Sequence, residues 1–154
     1  MRLLLAALLR APIASQAARP FVTDDARIVD KDGCQIETFV KHQRRYDESE
    51  FWFLPACNPW GAELTAGHVR VDSTPNGDTI TTVLQGKMLL KPLTTNGSGF
   101  ALTLGTFVGS ATSPYFNAIS STSFADDRVV LHANLGGIRD NIAKISRGTW
   151  GMTW

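Results

Sequence analysis

The sequence predicts an all-β fold: an antiparallel, up-and-down transmembrane β-barrel of about eight strands. Three observations predict it. From Cys34 on, strand-like segments alternate with breaks, and no segment sustains an apolar period of about 3.6 residues. Where alternation is clear, one face is large and apolar and the other is small: Gly, Ala, Thr, Ser and Asn. The charged share is 19%, below the roughly 25% of an average soluble domain. No run reaches the roughly 18 apolar residues of a membrane-spanning helix, which excludes a helical membrane protein.

The chain of 154 residues is the size of one domain. Residues 1–17, MRLLLAALLRAPIASQA, read as a secretory signal. Arg2 is the positive region, Leu3 to Leu9 the apolar run, and Ser15-Gln16-Ala17 the small-residue cleavage site. The other reading of this stretch is an amphipathic N-terminal helix. Loss of Arg2 and Arg10 takes the formal charge from +1 to −1. A near-neutral mature chain has no electrostatic footprint for nucleic acid. Residues 18–33 are polar, lack alternation and read as an N-terminal extension.

The barrel domain is expected over residues 34–154, with strands at 34–41, 50–57, 62–71, 79–92, 98–108, 114–124, 128–138 and 145–154. In the first hairpin, setting Cys34 opposite Cys57 also sets Val40 opposite Phe51. An exported chain with an even Cys count suggests that Cys34 and Cys57 form one disulfide. Two buried free thiols are the alternative. In the fourth strand Leu84, Gly86, Met88 and Leu90 oppose Val83, Gln85, Lys87, Leu89 and Lys91. In the fifth, Phe100, Leu102 and Leu104 oppose Gly99, Ala101, Thr103 and Gly105. In the seventh, Val129, Leu131, Ala133 and Leu135 alternate with Val130, His132, Asn134 and Gly136. In the eighth, Trp150, Met152 and Trp154 oppose Arg147, Thr149, Gly151 and Thr153. The third and sixth strands, AELTAGHVRV and PYFNAISSTSF, have no clear facing.

Two solvents fit such a face pair. A soluble sandwich puts the large apolar row inside and varied polar residues outside. A narrow barrel puts small polar residues in its lumen and its apolar row against lipid. The breaks after the second, fourth and sixth strands are tight, and the others are longer or more polar, as in outer-membrane barrels. Phe51, Trp52, Trp60, Tyr115, Phe116, Phe124, Trp150 and Trp154 fall near strand ends, where aromatic girdles form. An ordinary aromatic core is the alternative for them. A final strand ending in Trp154 looks like the signal read by the outer-membrane assembly machinery.

The segments ARPFVTDDARIVD, CQIETFV, FWFLPACNP, ELTAG, QGKMLLKPLTTNGSGFALTLG, FADDRVVLHANLGGIRD and RGTWG resemble a group of proteobacterial outer-membrane β-barrel proteins. That group is similar to transporters linked to the meta-pathway of phenol degradation. The resemblance spans nearly the whole mature chain and implies architecture rather than chemistry. Members of the group run longer, so the resemblance also implies that these strands are the first eight of a larger barrel.

A charge on the lipid face near the membrane midplane costs about 2–4 kcal/mol for Lys or Arg. That cost places Gln85, Lys87, Lys91, Glu37 and Arg147 in the lumen, with His132 and Asn134 on the same small polar face. There they form either an ion-paired plug or the lining of a solute path. The three His residues have no zinc-ligand spacing, and no cofactor is implied. Asp24-Asp25 are not expected to converge, because neighbours in a strand point to opposite faces. Asp126-Asp127 fall where a turn is needed. No nucleophile–base constellation is evident, so the expected protein is not an enzyme. The expectation is an outer-membrane barrel with a structural or small-solute passage role. Its partners are the lipid bilayer, the assembly machinery and a small hydrophobic solute. The competing expectation is a soluble periplasmic β-barrel that binds a small hydrophobic ligand.

Overall fold

The computed structural model describes residues 24–43, 47–73 and 77–154. The expected signal segment and parts of the first and third loops lie outside the described residues. The eight strands are β1 (Cys34–Gln43), β2 (Glu48–Cys57), β3 (Ala62–Ser73), β4 (Thr79–Lys91), β5 (Ser98–Val108), β6 (Thr112–Phe124), β7 (Val129–Asp140) and β8 (Ile145–Thr153). They form one antiparallel sheet in the order β1 to β8. Every connection joins sequence neighbours, so the topology is up-and-down. The sheet curls into a half-barrel, and β1 and β8 are its edges.

The first hairpin has the register expected from its sequence: Cys34 faces Cys57 and Val40 faces Phe51. Cys34 and Cys57 are disulfide-bonded, which removes the free-thiol alternative. Closing this loop of 23 residues' separation contributes about 3 kcal/mol by restricting the unfolded chain. Between β2 and β3 the ladder is interrupted from Phe53↔His68 to Ala56↔Thr65. Pro55 lies in that gap and has no N–H to donate. Gly67 sits there too, and a Cβ on it would be 2.2 Å from the Phe53 carbonyl oxygen. The close backbone approach at this point therefore needs glycine.

Strand alternation separates two faces. The outer face exposes Leu84, Met88 and Leu90 of β4, Phe100 and Leu104 of β5, Leu131 and Leu135 of β7, and Trp150 and Met152 of β8. The inner face buries Val83, Lys87, Ala101, Thr103, Ser121, Ser123 and Asn134. Large hydrocarbon side chains are outside and small or polar ones inside, the reverse of the usual preference. The two strands without clear facing are now assigned. In β3 the inner residues are Glu63, Thr65, Gly67 and Val69, whereas His68 and Arg70 face outward. In β6 the inner residues include Tyr115, Asn117, Ile119, Ser121 and Ser123.

The turns at 58–61, 92–97 and 125–128 share one end of the sheet, here the turn end. Ala125, Asp126 and Asp127 all have left-handed φ, at 52°, 55° and 66°. Side chains from the neighbouring turn hold them. Asn96 donates to Asp126 Oδ1 at 2.7 Å and accepts from the Asp126 N–H at 2.9 Å. Asp127 accepts hydrogen bonds from Ser123 and from Thr95. Those two bonds lower the Asp127 carboxyl below its ordinary value.

Candidate functional site

Residues 24–33 do not trail away from the sheet; they cross its inner face as a strap. Near Cys34 the strap is fixed to the turn after β2. Asp32 N–H donates to the Asn58 carbonyl at 2.7 Å, and Asn58 N–H donates to the Gly33 carbonyl at 3.0 Å. The Asn58 side-chain amide adds a bond to the Val29 carbonyl at 2.7 Å. Val29 N–H then donates to Glu63 Oε2 at 2.8 Å. Further along, Ala26 N–H donates to Ser121 Oγ at 2.8 Å. Asn134 takes both polar groups of one residue. Its Oδ1 accepts from Asp24 N–H at 2.9 Å, and its Nδ2 donates to the Asp24 carbonyl at 2.8 Å. The strap has no ladder, so wall side chains satisfy its backbone groups, as burial demands.

Lys87 anchors the far end. Its ammonium lies 2.9 Å from Asp24 Oδ1 and 3.7 Å from Asp25 Oδ1, and the residue is only 4% exposed. The Asp24-Asp25 pair therefore converges, contrary to the expectation for neighbours in a strand. The reason is local: these residues are in an irregular strap, where alternation does not apply. Ser121 and His132 are opposed across β6 and β7, with Ser121 Oγ 2.7 Å from His132 Nδ1. Ser121 is 0% exposed, covered by the strap, and its hydroxyl serves Ala26. Among the described residues, no three His, Cys, Asp or Glu side chains gather as a metal site.

Toward the loop end, aromatic rings replace charges. Phe39 stacks on Trp52 with centroids 5.4 Å apart. Trp52 meets Phe107 edge-on at 6.3 Å, bridging β2 to β5 across the interior. Phe107 contacts Tyr115 at 5.0 Å. Tyr115 lies over Gly105, where a Cβ would be 2.4 Å from its Cζ. Its hydroxyl donates to Gln85 Oε1 at 2.6 Å, and Gln85 Nε2 donates to Thr65 Oγ1 at 3.3 Å. Trp52 and Tyr115 thus face inward, not outward as girdle residues. The other six aromatics expected in girdles are exposed.

The seven polar candidates separate by place. Glu37, Gln85, Lys87, His132 and Asn134 sit on the inner face and bond there. Lys91 does not. The ladder shifts between Leu89 and Lys91, so Lys91 pairs with outward-facing Phe100. Its ammonium lies 5.9 Å from the centre of the Phe100 ring. Sequence alternation cannot anticipate a bulge, which reverses facing beyond it. Arg147 has the inner register of β8 but is exposed at the sheet edge, 3.9 Å from Asp140. The residues missed from sequence are the strap's contacts, Ser121, Glu63 and Asn58. Asn58 had one local signal, its place beside Pro59 in a tight turn.

Fold and site define a class: an up-and-down antiparallel β-sheet with an inverted face pattern and an internal polar strap. The chain belongs to the family described as "Uncharacterised conserved protein UCP029691", whose family model matches residues 4–154. No curated protein and no solved structure matches it.

Proposed function

We propose that this protein is an exported outer-membrane β-barrel, non-catalytic, with a structural or small-solute passage role. The carrying observation is the inverted sheet. Its outer face exposes Leu104, Leu135 and Trp150 at 55%, 66% and 81%, while its inner face holds the buried Lys87 ion pair. Exposed apolar surface on this scale marks a membrane or partner interface. Hydrocarbon solvates the outer row, and the strap and aromatic stack fill the lumen at two levels. The strap restricts the turn end and the Trp52–Phe107 contact restricts the loop end, so passage through the lumen requires both to move.

In hydrocarbon the edges of β1 and β8 need partners, because each unpaired backbone group there costs several kcal/mol. The open edges favour one other reading, a soluble periplasmic protein that binds a hydrophobic ligand along its apolar face. Fractionation separates the two. Retention in a carbonate-washed membrane pellet, with gel mobility that changes on boiling, supports the barrel. Release into the periplasmic soluble fraction supports the ligand binder and overturns the barrel.

A further inference from the structure

We infer that the inner wall beneath the strap is a binding site for a carboxylate flanked by an amide, and that the strap is its built-in competitor. The inference rests on the solute-passage reading and names what that site would take. Lys87, Asn134 and Ser121 come from β4, β7 and β6, and all are buried. Among the described residues, both ion pairs of Lys87 go to the strap, to Asp24 and Asp25. Asn134 uses its amide oxygen and nitrogen on the backbone of Asp24. Ser121 accepts from Ala26 N–H. The wall thus recognises one acidic residue by its side chain and its flanking peptide groups together.

None of this recognition depends on Asp24 being covalently part of the chain. With the strap displaced, a buried ammonium and a buried carboxamide lose their partners, and unpaired groups of that kind are costly. A free solute with the same groups, an acidic peptide or an N-acyl amino acid, restores them. The other end of the strap stays tied through Asn58 and the Cys34–Cys57 bridge, so displacement is a local lift at Asp24 to Ala26.

The test uses the full chain refolded in detergent micelles, with N-acetyl-aspartate N-methylamide as the probe and calorimetry as the readout. The Asp24→Asn/Asp25→Asn variant weakens the competitor without touching the wall. We expect it to bind the probe roughly tenfold or more tightly than the unmodified chain. Adding Lys87→Met should abolish that gain. Should the double variant fail to refold, Asp24→Asn alone should give the same change at smaller size. Equal binding by the unmodified chain and a folded variant overturns the inference, as does a gain that survives Lys87→Met. Flotation with liposomes, measured on the same preparations, reports separately on the membrane reading. Loss of flotation with the binding gain intact overturns that reading alone.

Discussion

Thr103 and Leu104 are neighbours in β5 and meet opposite surroundings: the threonine is 2% exposed and the leucine 55%. Water as the outer solvent would favour the reverse. The same inversion repeats from β4 to β7, so it is a property of the sheet rather than of one position. The inner face is filled by fitted polar contacts and an aromatic stack, and the outer face is hydrocarbon that nothing among the described residues covers. Stability on the two faces should therefore respond to opposite kinds of substitution.

The largest difference is expected for Leu104→Arg. In vesicles it should cost about 2–4 kcal/mol if this row lies near the bilayer midplane, read from urea unfolding. A change within about 0.5 kcal/mol, as at an ordinary water-exposed site, would break the comparison. Next is Gly105→Ala on the inner face. The new methyl needs the space of the Tyr115 ring, and overpacking of this kind costs about 1–3 kcal/mol. Loss of near-ultraviolet Tyr and Trp ellipticity should accompany it. Thr103→Val sharpens the inner side. Thr103 Oγ1 is buried and has no hydrogen-bond partner among the described residues. Removing it should leave stability unchanged or raise it by about 1 kcal/mol; a loss above that would mean the hydroxyl serves the lumen. The smallest effect belongs to the turn end, away from both faces. Hydrogen bonds from Ser123 and Thr95 hold the Asp127 carboxyl below its ordinary value. Its contribution should be full above about pH 4 and fade as pH falls through the lowered folded value. Asp127→Asn should therefore be less stable than the unmodified chain at neutral pH, with the gap narrowing in acid.

Much of this fold was legible because a barrel strand has one simple code. The first hairpin's register followed from two cysteines, and the faces of β4, β5, β7 and β8 followed from alternation. β3 and β6 resisted because both their faces mix small and polar residues. Ala66, His68 and Arg70 face outward on β3, where Leu-rich neighbours would have marked the face. Ala118 and Ser120 on β6 blur it in the same way. The site was less legible than the sheet. Lys87, His132 and Asn134 could be placed on the inner face by parity. Asp24, the partner of Lys87 and Asn134, and Ala26, the partner of Ser121, could not, because an irregular strap has no period and its contacts span more than 60 residues of sequence. Lys91 was displaced by one bulge, a backbone feature without a residue signature here.

The central claim is that lipid, not water, bathes the outer row. A nitroxide at Leu135, in the middle of β7 and exposed on its outer face, tests it directly in refolded proteoliposomes. The account predicts high collision with oxygen and exclusion of a water-soluble nickel chelate. Free access of the chelate to that position would contradict it.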